Sequence, residues 1–314
     1  MTTYIMAHID VDGLVCHSIA EIWARKSGLT VKHCFVDYQD IGIALRTLSE
    51  KIKPDDKVLI ADIGFEKELI DSFLNRYGEI AKRTSWFDHH KWAEEAVVRV
   101  SSIVEELVID ESLCASEILQ KRFLPEGGLA KRLAQLARAH DFYGKGFEPK
   151  IFEQACKIQD VITSGYRKET VVEQLVSDIL WSKDFETAYT QYQNIRPSAI
   201  TRMDNTIAKY FVVVDGIAAN IAIALTSGVL ESKDVRAHLL RNENGSDAII
   251  AIWPNGKIAC EVRDEKFRAI LEKINKKFNG GGRGLAVGAM YPQKINEKDY
   301  RECFDKIIEA LRSD

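Results

Sequence analysis

The sequence predicts an α/β protein: a doubly wound parallel sheet in an N-terminal domain, followed by a smaller α+β domain. Between Tyr4 and Ile109 short apolar runs alternate with segments of helical period. Strands joined in this way need crossover connections, which are right-handed and give a parallel sheet covered on both faces. After about residue 209 the pattern changes to paired strands joined by tight turns, and 314 residues are enough for two domains.

Tyr4-Ile5-Met6-Ala7 reads as the first strand. A helix follows from about Gly13 to Ser27, with Leu14, Val15, Ile19, Ile22 and Trp23 as its apolar stripe and Gly28 as its stop. Val31 to Val36 is the second strand, a helix runs from about Ile41 to Ile52 before Pro54, and Val58 to Ala61 is the third strand. A helix near Glu66 to Tyr77 leads to a fourth strand ending at Phe87. A short fifth strand is expected at Glu106 to Ile109, then helices at about Ala115 to Phe123 and Leu129 to His140, and mainly helix to about residue 190. Pro197, within Asn194-Ile195-Arg196-Pro197-Ser198, would end or kink a helix. The expected domains are therefore 1–193 and 209–314, with 194–208 as a linker helix. In the second domain Tyr210 to Val214 and Ile217 to Leu225 pair across Asp215-Gly216, and Ala248 to Trp253 and Lys257 to Val262 pair across Pro254-Asn255-Gly256. Helices at about Asp264 to Phe278 and Glu297 to Arg312 complete it.

With 46% hydrophobic and 29% charged residues the composition is that of an ordinary globular protein. The sequence has neither an apolar stretch of about 18 residues nor the pattern of a signal peptide, so a cytoplasmic protein with no membrane partner is expected. Six cysteines without a C-x-x-C pair read as reduced, mostly buried thiols. The net charge of −4 argues against a protein that coats nucleic acid. From Lys257 to Arg283, however, eight basic residues face four acidic ones, so this segment is +4 and the remainder −8. Lys273, Lys276 and Lys277 are equally well read as the solvated face of a helix.

Candidate site residues gather where strands end. The fourth strand ends in Asp88-His89-His90, the first in His8-Ile9-Asp10-Val11-Asp12-Gly13, the third in Asp62, and a late helix in Ala139-His140-Asp141. If the backbone stays extended through 8–12, alternation puts His8, Asp10 and Asp12 on one side. Asp12-Gly13 could equally be the turn and N-cap of the next helix, which explains one carboxylate and leaves His8 and Asp10. Groups that follow the strands of such a sheet meet at its carboxyl edge. Oxygen and imidazole donors together suit Mn²⁺ or a similar divalent ion better than Ca²⁺ or a thiolate-bound Zn²⁺.

Other candidates are weaker. On a helix His140 points about 100° away from Asp141 and reads as packing or surface. His17, His33 and His238 have no partner visible in sequence. Trp253, Phe267 and Phe278 could stack on a base but are core by default. Gly280-Gly281-Gly282-Arg283-Gly284 could be a turn. It is better explained by backbone N–H groups approaching an anion, with the guanidinium making a forked contact to phosphate.

In order and spacing, His8-x-Asp10-x-Asp12-Gly13, Asp62, Asp88-His89-His90 and Asp141 resemble the DHH phosphoesterase family, which includes RecJ-type exonucleases and the oligoribonucleases called nano-RNases. Gly280-Gly281-Gly282-Arg283-Gly284-Leu285-Ala286-Val287-Gly288 looks like the GGGH-x-x-A-x-G motif of the DHH-associated C-terminal domain, so the resemblance spans nearly the whole chain. It implies two divalent cations, Mn²⁺ first and Mg²⁺ or Co²⁺ as alternatives. His8, Asp10 and Asp62 would hold one, and Asp12, Asp62, His89 and Asp141 the other. They would offset carboxylates that otherwise repel. His90 would contact the phosphate, and Asp88 would orient the histidines. Gly280, Gly281, Gly282 and Arg283 would hold substrate across a cleft between the two lobes. Arg283 replaces the family's usual His, which leaves substrate identity open. The expected activity is Mn²⁺-dependent phosphodiester hydrolysis of short RNA or DNA oligonucleotides or small nucleotides such as 3′,5′-bisphosphates. A long-DNA exonuclease fits less well, because the chain has no room for further nucleic-acid-binding domains. Cyclic dinucleotide hydrolysis, a single-strand exonuclease and a non-catalytic nucleic-acid-binding relative are the alternatives, and a homodimer is left open.

Overall fold

Five apolar runs, Thr2–His8 (β1), Thr30–Val36 (β2), Lys57–Ala61 (β3), Thr84–Asp88 (β4) and Glu106–Ile109 (β5), form one sheet in the computed structural model. The structure describes residues 2–64, 67–282, 284–296 and 298–313, with side chains for all of these but Gln39, Lys67, Glu68, Leu69 and Ser72. The strand order is β2-β1-β3-β4-β5, and every pairing is parallel. Both faces of the central strands β1, β3 and β4 are buried, which is why these read as almost continuously apolar, whereas the edge strands β2 and β5 are mostly half-buried. Ile5, Ala7, Leu59, Ala61 and Phe87 pack on one face against helices Val11–Ser27 (α1), Ala115–Phe123, Gly128–Asp141, Pro149–Thr163 and Lys168–Val176. Tyr4, Met6, Val58, Ile60 and Trp86 pack on the other against Ile41–Lys51 (α2), Lys67–Arg76 (α3), Gly78–Ala81 (α4) and Glu94–Ser101 (α5). The helices named after α1 on the first face are α6 to α9 in chain order.

The chain divides into two compact units, Met1–Tyr189 and Thr190–Asp314. The sequence reading put its boundary at residue 193. Helix α10, Lys183–Asp204, runs through Pro197 instead of ending there. Burial of Tyr192 before the proline and of Ala199 and Met203 after it outweighs the one lost backbone bond.

The second unit contains a sheet in the order β10-β9-β8-β7-β6. Its strands are Ala208–Val214 (β6), Ile217–Leu225 (β7), Ala248–Ile252 (β8), Lys257–Val262 (β9) and Ala286–Met290 (β10). Asp215 and Gly216 have φ of 49° and 81°, the pair of positive values that a two-residue hairpin turn requires. β7 and β8 are parallel, joined by helix Ser232–Asn242 (α11), and the other pairings are antiparallel. Helices Arg268–Phe278 (α12) and Tyr300–Arg312 (α13) share the core of one face, and α11 that of the other. Sequence reading missed α5, α11 and β10. α5 buries Val100 alone and α11 only Val235 and Leu239, so neither shows a clear apolar stripe. β10 is rich in Gly and Ala and depends on pairing with β9. Among the described residues no helix is long and apolar enough to cross a membrane.

The start of α1 lies against the end of β1. A Cβ on Gly13 would sit 1.9 Å from the His8 carbonyl oxygen, so only glycine lets the helix leave the strand this sharply. Gly13→Ala is expected to cost about 3 kcal/mol or more in urea denaturation, at the upper end for overpacking. Gly42→Ala on α2, where a Cβ meets nothing within 4 Å, should instead gain up to about 1 kcal/mol. Similar effects at the two positions would show that the contact with His8 is not the constraint.

Candidate metal centre

The strand order reverses direction between β1 and β3, and in open parallel sheets the ligand crevice lies at the carboxyl ends beside such a reversal. β1 ends at His8, Asp62 follows β3, and Asp88 ends β4. Asp10 and Asp12 stand at the start of α1 and Asp141 ends α7. The extended path expected through 8–12 is interrupted, because the chain turns into α1 at Val11. The turn occurs there because Asp10 is the N-cap, its Oδ1 accepting from Gly13 N at 3.0 Å. Asp12 caps a different helix: its two oxygens accept from Ala115 N at 2.7 Å and Ser116 N at 3.0 Å, at the start of α6. Between them Val11 N donates to Gln159 Oε1 at 3.1 Å.

Asp62 has φ of 54°, in the left-handed region that non-glycine residues seldom occupy and that tends to persist at functional positions. Its carboxylate faces His89 Nε2, 3.3 Å from Oδ1, and His8 Nδ1, 3.9 Å from Oδ2. His8 Nδ1 also lies 3.0 Å from Asp10 Oδ2, and His89 Nε2 3.5 Å from Asp141 Oδ2. Three sets can each bring ligand atoms within 4.8 Å of one another: His8, Asp10 and Asp62; Asp12, His89 and Asp141; and Asp62, Asp88, His89 and His90. Asp88 is fully buried. Its Oδ1 meets His90 Nδ1 at 2.8 Å, while Oδ2 accepts from Trp92 Nε1 at 2.6 Å.

These contacts split the carboxyl groups by charge. Burial, and then Asp10, Asp12, Asp141 and Asp88 around it, push the Asp62 carboxyl well above the usual carboxylate range. Burial raises Asp12 too, against the pull of His89. Burial also acts upward on Asp10 and Asp88, but the charge and hydrogen bond of His8 hold Asp10 below its ordinary value, and those of His90 do the same for Asp88. Asp62 is 2% exposed, and its Oδ2 has no hydrogen-bond partner among the described residues. A buried oxygen without a hydrogen bond, ringed by carboxylates and imidazoles, fits a divalent cation of the Mn²⁺ type.

Sequence reasoning missed Asp37 and Tyr38, which follow β2 and so reach the same sheet edge. That position was the available signal. Asp37 Oδ1 is 3.9 Å from His8 Nε2, and the Tyr38 hydroxyl is 3.3 Å from His90 Nε2. Burial and the charges of Asp62, Asp88 and Asp10 push the Tyr38 phenol up. His140, expected to point away, lies beside the cluster with Nδ1 4.0 Å from Asp141 Oδ1. His17 and His33 face each other at 3.1 Å between Nδ1 atoms, and His238 Nε2 meets Asp204 Oδ1 at 2.8 Å. Trp253 and Phe267 are buried and not available for base stacking, and Phe278 packs on Tyr291. In the second unit a Cβ on Gly280 would lie 2.6 Å from Gly288 O and one on Gly282 2.2 Å from Ala286 O. Packing on β10 therefore requires both glycines by itself. Gly281 pairs with Gly288, and Arg283 lies outside the described residues.

No protein-family model and no curated protein matches the sequence. Solved structures do. The exonuclease RecJ bound to manganese is similar over 100% of this chain and 91% of its own, with a TM-score of 0.62 at 14% identity. An exopolyphosphatase-related protein from Bacteroides fragilis gives 0.50 at 12% identity over 99% of this chain and 92% of its own. CDC45 from Entamoeba histolytica gives 0.55 at 8% identity over 99% and 95%. The chain has the RecJ-like fold of an all-parallel sheet unit followed by a mixed-sheet unit.

Because the Asp62 carboxyl is raised in the folded state, the metal-free folded protein binds the extra proton. Its stability therefore falls as pH rises from the ordinary carboxylate range through that raised value. The depressed Asp10 and Asp88 act oppositely, and only on the acid side of that range. Asp62→Asn does not titrate and should stabilise the metal-free protein at neutral pH by about 1–3 kcal/mol, while losing most of the rise in Tm that Mn²⁺ gives the wild type. Thermal scans with chelator and with Mn²⁺ check both. A metal-free variant less stable than wild type at neutral pH would contradict the electrostatic reading.

Proposed function

We propose that the chain is a divalent-metal-dependent phosphoesterase that hydrolyses short oligonucleotides or small nucleotide phosphodiesters. One observation carries this: two donor sets, His8 with Asp10 and Asp12 with His89 and Asp141, meet at the buried Asp62, whose Oδ2 accepts no hydrogen bond among the described residues. The likeness to RecJ and to CDC45 is one of fold at 14% and 8% identity, so the donor set and not the fold supports catalysis. A pair of divalent cations held there, Mn²⁺ first, would polarise phosphoryl oxygens and lower the pKa of a water to give the nucleophile. His8, Asp10 and Asp62 would hold one, and Asp12, Asp62, His89 and Asp141 the other.

The chain's own residues do the rest. Asp12 is immobilised by two amides of α6, and Asp10 by the first turn of α1. Asp88 accepts from His90 Nδ1–H, so Nε2 is the ring atom turned to substrate. A net charge of −4 gives long polymers little general attraction and favours short substrates. A contact from Gly280, Gly281, Gly282 and Arg283 to a second phosphate is proposed from the sequence pattern alone.

Purified protein with Mn²⁺, offered labelled RNA of graded length, cyclic dinucleotides, 3′,5′-bisphosphate nucleotides and pyrophosphate, tests the reading. Turnover should be confined to phosphodiesters and bisphosphates and be fastest on short ones; no turnover on any substrate would sink it. Asp62→Asn should lose at least about 10³-fold in kcat, on the scale of other lost electrostatic contributions. His89→Ala should weaken Mn²⁺ binding in calorimetry, whereas His90→Ala should lower kcat with Mn²⁺ affinity nearly unchanged. Equal weakening of Mn²⁺ binding in both histidine variants would remove the distinction between them.

A further inference from the structure

His90 has one ring nitrogen committed inward and one facing outward. Nδ1 is 2.8 Å from Asp88 Oδ1, and the other oxygen of Asp88 is taken by Trp92 Nε1 at 2.6 Å. The ring is backed by Gly64, where a Cβ would lie 3.0 Å from His90 Cβ. Nε2 meets the Tyr38 hydroxyl at 3.3 Å with the two rings edge to face. Tyr38 comes from the short turn after β2, its ring 5.1 Å from that of His8, and it is 40% exposed. Its ring is partly open to solvent, whereas its hydroxyl is drawn into the cluster, accepts from the Gly64 backbone and has one proton to give.

A hydroxyl held beside the donor sets is placed to attract an anionic oxygen. We propose, resting on the phosphoesterase reading, that Tyr38 is a substrate-binding residue of this site, its hydroxyl turning from His90 Nε2 to donate to a phosphoryl oxygen. A charge-assisted O–H···O⁻ bond is stronger than the neutral one it replaces. The exchange also frees Nε2 to accept from water or from a sugar hydroxyl. In the absence of substrate Tyr38 closes off the one ring atom of His90 that Asp88 leaves open.

The test compares wild type with Tyr38→Phe, which keeps the ring against His8 and removes only the hydroxyl. Inorganic phosphate titrated into Mn²⁺-loaded protein should bind the variant roughly tenfold or more weakly, with Mn²⁺ affinity unchanged. In metal-free protein, ¹⁵N resonances of the His90 imidazole should show Nδ1–H in both proteins, with the Nε2 resonance moved in the variant. kcat on a short phosphodiester should fall while KM for Mn²⁺ stays the same. Unchanged phosphate affinity, or a wild type that binds no phosphate, overturns the proposal. A wild type that binds phosphate through Tyr38 but hydrolyses no phosphoester overturns the enzymatic reading and leaves this contact standing.

Discussion

Asp62 places a carboxylate where water scarcely reaches it and where Asp10, Asp12, Asp88 and Asp141 all act on it. At neutral pH such a group must take up a proton or be matched by cations, since buried like charges are costly unless paired. His8 and His89 approach it from two sides, so the pairing can come from metals shared between two donor sets. Much of the first unit serves to hold this cluster in place.

The holding is done by backbone as much as by side chains. Asp12 caps α6, Asp10 caps α1, and Gln159 of α8 accepts from the amide between them. Glycine at position 13 lets α1 begin against His8, and the left-handed turn at Asp62 aims its side chain while its amide still pairs with Phe87 O. Each carboxylate is thereby oriented by helix ends and strand ends whose cores, on both faces of the sheet, are large and apolar. A rigid apolar frame is what allows a strained, like-charged cluster to persist.

Much of this was legible in the sequence because strands of a parallel sheet end at one edge. Asp62 and Asp88 follow apolar runs, and that position alone brings them together. The route of the chain after His8 was not legible: alternation suggested an extended path, whereas the Asp10 cap and Gly13 begin a helix. Asp12 could be read as a cap, but the helix it caps lies about a hundred residues further on, and no local pattern reveals that. Tyr38 and Asp37 obey the same strand-end rule after β2 and were passed over for want of a motif. His140 was placed away from the cluster by helical geometry at the last turn, where the helix gives way to Phe142. The glycines at 280 and 282 were read for anion binding, and close packing on β10 gives them a second, independent reason to be glycine.

The most direct test of the central claim is anomalous scattering from crystals grown with Mn²⁺. Two ions should appear at the carboxyl edge of the first sheet, one against His8 and Asp10 and one against Asp12, His89 and Asp141, with Asp62 ligating both. Crystals at saturating Mn²⁺ with no ion there, or with ions that leave Asp62 uncoordinated, would contradict it.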